Sequence, residues 1–228
     1  MEYDRNYIRW GNFVSSNLAN NQNNLDILQE TIIASKDAAL AYFFSMDFDY
    51  KRYLMQRLIL DIKNPKYAFL FAKNINGSDI KSLQNVVINS KNIEYITQFA
   101  CFVKGADQKL LSKHILKAGK AKYAHDYIKN VKGVNVARFM EIIMKSKKPS
   151  YLFELAKHLT KKSDIVKIED LIIQSKSTVY IRLFAEKIKL ANIEKLEEAI
   201  LASDNMDEIK KFARNVKGSK MKRFLLVG

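Results

Sequence analysis

The sequence predicts an all-α fold, an α-solenoid of about seven two-helix repeats closed by N- and C-terminal capping helices. Three observations predict it. One pattern of residues recurs about every 28 positions along nearly the whole chain. Each recurrence holds two apolar arcs at helical spacing. Only 7 Gly and 2 Pro stand among 228 residues, too few turn formers for a sandwich or barrel of strands. With 48% hydrophobic and 11% aromatic residues, the chain has material for a sizeable core and does not read as disordered.

The clearest copy runs Ser90, Tyr95, Phe99, Ala100, Val103, Gly105. Counting from the small residue as position zero, the frame also fits at Ser35, Ile62, Ala118, Ser146, Ser175 and Ser203. Position five holds Tyr67, Tyr95, Tyr123, Tyr151 and Tyr180, with Leu40 and Glu208 as exceptions. Position ten holds Ala72, Ala100, Ala156, Ala185 and Ala213. So many matches in one frame are not chance.

The first helix of each unit lies upstream of position zero. Positions −7, −4, −3 and −2 are apolar there, as in Leu83, Val86, Val87 and Ile88. The second helix follows, with positions 5, 6, 9, 10 and 13 as its arc. Asp37, Asn64, Asn92, Ser177 and Asn205, at position two, carry side chains that cap a helix N-terminus. Pro65 and Pro149 stand at position three, the first helical residue, where a missing N–H costs nothing. Gly77, Gly105, Gly133 and Gly218 fit the left-handed C′ position after the second helix. Asp79, Asp107, Asn135, Ser163 and Asn192 then cap the next first helix.

A hairpin this short cannot bury both arcs alone, whereas stacking on its neighbours does so. Residues 1–24, with Tyr7, Ile8, Trp10, Phe13 and Val14, fall outside the frame and read as an N-terminal capping segment that breaks at Asn20 to Asn24. Residues 25–228 read as one solenoid without an internal boundary. Phe224 falls at position −7 of an eighth unit, so Met221 to Val227 read as the C-terminal cap.

The run Ser-x4-Tyr-Ile-x2-Phe-Ala-x2-Val-x-Gly-Ala, Ser90 to Ala106, resembles short helical-hairpin repeats in hypothetical proteins of AT-rich bacteria, phages and large DNA viruses. The resemblance covers nearly all of the chain and implies a repeat scaffold, not an activity. The unit is too short for tetratricopeptide repeats of about 34 residues and for HEAT or armadillo repeats. The 31 Lys against 8 Arg fit an AT-rich genome.

The functional expectation comes from what varies between units. Positions seven and eleven of the second helix vary widely on a near-constant scaffold, as a recognition surface would. The candidate binding face is Phe69, Lys73, His125, Lys129, Phe153, Lys157, Arg182, Lys210 and Arg214. The alternative is that position seven is partly buried and its packing loose. A basic ridge of Lys104, Lys132, Lys147, Lys189 and Lys217 accompanies that face. Helix-dipole complementarity or simple solvation explains such lysines equally well.

The formal net charge of +15 is unevenly spread. Residues 1–60 carry 6 basic and 7 acidic groups, residues 61–165 carry 20 and 8, and residues 166–228 carry 13 and 9. A positive middle attracts nucleic acid or an acidic protein surface. Aromatic residues beside lysines would suit base stacking. Scarce Arg argues against base-specific reading. Solubility charge from a lysine-biased genome is the plain alternative.

Signals for catalysis are weak. The chain has no glycine-rich phosphate loop, nucleophile elbow or zinc-protease motif. No cofactor and no metal are expected, since one Cys and three His make a zinc site implausible. His114 reads as a core histidine, and Cys101 as a thiol without a base. A helical-repeat DNA glycosylase is the enzyme alternative, with the single Trp10 outside the repeats counting against it. The expectation is therefore a non-catalytic binder of a protein with an acidic or nucleic-acid-handling surface. In the setting the resemblance implies, that would be a phage or mobile-element inhibitor of a nucleic-acid-guided host defence. Sequence-nonspecific binding of DNA or RNA is the other binding alternative. The acidic start, Met1-Glu2-Tyr3-Asp4, and a longest apolar run of Ala38 to Phe44 suggest neither signal peptide nor membrane span. The expected location is cytoplasmic, in the host if the chain is phage-encoded.

Overall fold

A computed structural model of the chain describes residues 8–14 and 24–221. The described residues form helices and no strands. Residues 8–14 are helical (α1). Seven helix pairs follow: α2 (Asn24–Ser35) and α3 (Ala38–Asp47), α4 (Arg52–Ile62) and α5 (Pro65–Asn74), α6 (Ile80–Asn89) and α7 (Ile93–Phe102), α8 (Gln108–Ala118) and α9 (Ala121–Asn130), α10 (Ala137–Ser146) and α11 (Pro149–Ala156), α12 (Lys162–Gln174) and α13 (Thr178–Lys187), α14 (Ile193–Leu201) and α15 (Met206–Asn215). This is the all-α helical-repeat architecture that the period predicts. No helix among these residues is long and apolar enough to cross a membrane.

The chain divides into two compact units, Met1–Lys117 and Ala118–Gly228. The sequence showed no boundary there, and the division cuts the fourth helix pair at its turn. Within the first unit, α3 packs on α5 and α5 on α7, while α2 packs on α4 and α4 on α6. In the second unit, α9 packs on α11, α11 on α13 and α13 on α15. Within each unit the second helices thus meet their counterparts in the next pair. α1 closes the first unit: Trp10 is buried, and its indole N–H donates to Asp47 Oδ2 at 2.6 Å. The expected break at Asn20 to Asn23 and the expected cap from Lys222 to Val227 lie outside the described residues. Asn24 already belongs to α2 and Met221 is buried.

The core follows the two arcs. Position nine holds Phe44, Phe71, Phe99, Tyr127, Leu155, Phe184 and Phe212, all buried. In the first helices, positions −7 and −3 are buried in every pair, from Leu28 and Ile32 to Leu196 and Ile200. Positions −4 and −2 sit higher on the helix flank, and Val86, Ile88, Leu171 and Ile173 are half-exposed.

A polar position runs through this core that the apolar pattern does not announce. At position −6, Gln56, Gln84, Glu169 and Glu197 each accept the backbone N–H 23 residues on, from Asp79, Asp107, Asn192 and Lys220, at 2.7–2.8 Å. The first three latches tie one first helix to the start of the next and satisfy an N–H at a helix N-terminus. Burial raises the Glu169 carboxyl above its usual range, against the hydrogen bond from Asn192 and the nearby Lys195 and Lys162. A group raised on folding contributes stability that is present below its unfolded pKa and is lost as pH rises through the folded one. Glu169→Gln keeps the acceptor and removes the charge, as Gln56 and Gln84 already do. It is expected to stabilise the protein at pH 7, with the gain vanishing as the pH falls to about 4. Glu169→Ala leaves the Asn192 N–H without its acceptor and is expected to destabilise by roughly 1–3 kcal/mol. Urea melts at both pH values check this.

The turns are built from repeated parts. Ser35, Ser90, Ser146, Ser175 and Ser203 donate Oγ–H to the carbonyl three residues back, at 2.6–2.7 Å. Each Oγ also accepts the N–H two residues on. One hydroxyl thus joins the end of the first helix to the start of the second. Asp37, Asn64, Asn92 and Asn205 cap the second helices as expected, and Asp79, Asp107 and Asn192 cap the first. Others depart from the expectation. Ser177 makes no side-chain capping bond, α10 starts after Val136 rather than Asn135, and Ser163 lies inside α12. The glycine of the linking turn sits one residue beyond C′: α5 ends at Asn74, the extended Ile75 closes onto Phe71 O, and Gly77 takes φ 74°.

Candidate binding surface

Antiparallel pairs have two edges. Turns within a pair lie at one edge and turns between pairs at the other. The lysines at position one, Lys36, Lys63, Lys91, Lys147 and Lys176, lie at the within-pair edge with φ of 51–58°. Gly119 takes the same place with φ 62°. This is the left-handed residue that ends each first helix. Lys147 is therefore separated from the other ridge lysines by the length of a second helix, about 15 Å for ten residues. Positions eleven and fourteen share the between-pair edge. In the first unit Lys73 and Lys104 are exposed there, and in the second Lys129, Lys132, Lys157, Lys189, Arg214 and Lys217.

Position seven is not part of that surface. Phe69 is only 6% exposed, and His125, Phe153, Arg182 and Lys210 are half-buried. In four places position seven meets position five of the following repeat. Tyr42 packs on Tyr67 with ring centroids 6.1 Å apart, His125 on Tyr151 at 4.4 Å and Phe153 on Tyr180 at 6.0 Å. Where position five is Glu208, position seven is Arg182, and Nε donates to Glu208 Oε2 at 2.7 Å. The reading of Phe69, His125, Phe153 and Arg182 as an exposed recognition row is thus corrected: they are the contact between stacked second helices. Lys73 and Lys157 lean back over Phe69 and Phe153, at 5.9 and 5.8 Å from the ring centres, which further covers those faces. Stacking nucleic-acid bases on these rings would require unpacking the repeat. Alanine at Phe69 or Phe153 accordingly reports on folding, not on binding.

In the second unit, what remains exposed at positions eleven and fourteen is mostly cationic. Among the described residues, Lys129, Lys132, Lys189, Arg214 and Lys217 form no ion pair, while Lys157 pairs with Glu154 at 2.7 Å. Burial works against ionised Glu154, but hydrogen bonds from Lys157 and His158 hold its carboxyl below the usual range. A cleft of about 300 Å³ opens on this edge at the turn before α10, lined by Lys129, Lys132, His158 and the backbone around Gly133. Sequence reasoning missed His158, because its place beside Lys129 depends on the stacking of α9 on α11. Among the described residues no three His, Cys, Asp or Glu gather as a metal site would require. His114 is half-buried, and Cys101, half-buried, is in no disulfide. No family model, curated protein or solved structure matches the chain.

Proposed function

We propose that the protein is a non-catalytic binding scaffold whose second unit engages an acidic protein surface along its between-pair edge. The observation that carries this reading is the row of unpaired cations Lys129, Lys132, Lys189, Arg214 and Lys217, opening around a cleft that holds a further basic side chain, His158. Those lysines present charge without rigid geometry, which suits carboxylates spread over a surface better than the bidentate reading of a base edge. The packing of the aromatic row favours a protein over single-stranded nucleic acid, whose binding draws on free ring faces.

Labelled single- and double-stranded DNA and RNA, titrated by fluorescence anisotropy, test the choice. The expected result is no binding tighter than about 10 µM at ~200 mM salt, within the range of non-specific charge attraction. A tight complex at ~50 mM salt that weakens by about 10³–10⁵ on reaching ~200 mM would instead make this edge a nucleic-acid site with six to ten phosphate contacts.

A further inference from the structure

The fifth helix pair lacks the latch that the sixth pair has, as does the fourth, where the hydroxyl of Ser112 at position −6 donates to Lys109 O instead. Position −6 is Met140 where Gln56, Gln84, Glu169 and Glu197 provide latches. α10 has no side-chain N-cap, and α11 is the shortest of the paired helices. Between the neighbouring first helices α12 and α14, Glu169 reaches the Asn192 N–H and Lys195 pairs with Asp170, so polar links bridge the seam. Between α10 and α12 Met140 makes no such link, and a groove of about 610 Å³ stands open. Its floor is Met140, Met144 and Leu171, and its rim carries Lys145, Lys147 and Lys167 against one carboxylate, Glu141. Glu141 pairs with Lys145 and Asp164 with Lys167, all four side chains but Asp164 well exposed, while Lys147 forms no ion pair among the described residues. What sets this pair apart is the apolar opening that stands where the next pair has its polar links.

We infer that this groove takes an amphipathic helix of the partner, apolar on one face and acidic on its flanks. The inference rests on the proposed acidic partner and gives it a second point of attachment. An unbranched Met pair accommodates varied apolar side chains, and a helix laid in a groove anchors them at i, i+3, i+4 and i+7. The cationic rim selects carboxylates beside those anchors and disfavours a basic helix. Val136 lines the cleft and the next residue, Ala137, lines the groove, so the two openings meet the chain one residue apart. A partner held at the edge therefore has the groove's mouth beside it.

The test uses the full chain and a fluorescein-labelled peptide of roughly 18 residues, with Leu on one helical face and Glu and Ala elsewhere. A scrambled peptide of the same composition is the control. The peptide is expected to bind with micromolar affinity and its scramble at least tenfold more weakly. Met140→Gln with Met144→Gln is expected to weaken binding at least tenfold, as is the rim variant Lys147→Glu with Lys167→Glu at two exposed positions, which keeps the test decisive should the Met variant fold poorly. Lys129→Glu with Lys132→Glu is expected to change it less than threefold. Equal binding of peptide and scramble, wild-type affinity in both groove variants, or no binding by the wild type overturns the inference. The between-pair edge is judged separately, by its own variants and by the nucleic-acid titrations, so the two can fail independently.

Discussion

Replacing Phe184 by alanine is expected to destabilise the protein by about 3–5 kcal/mol, a large share of the roughly 5–15 kcal/mol that holds a domain together. Phe184 is 0% exposed and stands at position nine of α13, the most uniformly apolar place in the repeat. Truncating a ring with no solvent exposure leaves a cavity, and the contacts it made are not replaced. The half-buried Phe153, on the stacking flank, should cost less when truncated because its neighbours can close over the gap. Urea midpoints for the two variants, at unchanged slope, measure the contrast.

The second large effect is expected at Arg182 and Glu208. Their side chains are 14% and 7% exposed, and Glu208 also accepts from Lys211 at 2.8 Å. Burial opposes ionisation of Glu208, yet the hydrogen bonds from Lys211 and Arg182 hold its carboxyl below the usual range. A group lowered on folding contributes stability above its unfolded pKa and loses it as pH falls through the folded value. The pair should therefore weaken below about pH 4.5. Arg182→Ala leaves buried Glu208 with Lys211 alone and is expected to cost up to about 3–5 kcal/mol, partly relieved by that lysine. Arg182→Phe combined with Glu208→Tyr reproduces the Phe153 and Tyr180 contact one pair earlier. That double variant is expected to match or exceed the wild type, since well-packed apolar pairs often equal buried ion pairs. Denaturant melts of the two singles and the double form the cycle that tests it.

Most of the scaffold was legible in the sequence because it repeats. The buried Phe at position nine, the Asn caps at position two and both N1 prolines follow from spacing and side-chain chemistry alone. The candidate surface was only half legible. Position seven looked variable, so it read as recognition, but its variation is matched by position five of the following unit. The absence of Tyr at Glu208, one unit after the only Arg of the row, was the available signal. Reading units in pairs rather than singly would have exposed it. The latch at position −6 was hidden because a buried Gln or Glu next to an apolar arc looks like the solvent side of an amphipathic helix. Lys147 read as part of the basic ridge, while Gly119 in the same place of its own repeat pointed to a left-handed turn. The exposed cations at positions eleven and fourteen carry the functional reading.

The most direct measurement compares two charge reversals of equal size by affinity capture from the source cell. Lys129→Glu, Lys132→Glu and Lys189→Glu change the between-pair edge. Lys120→Glu, Lys122→Glu and Lys176→Glu change the opposite edge by the same six charges. All six lysines are exposed, so both variants should fold. The account predicts that an acidic protein captured by the wild type is lost from the first variant and retained by the second. Equal loss from both would reduce the interaction to net charge, and retention by both would remove the between-pair edge as the binding surface.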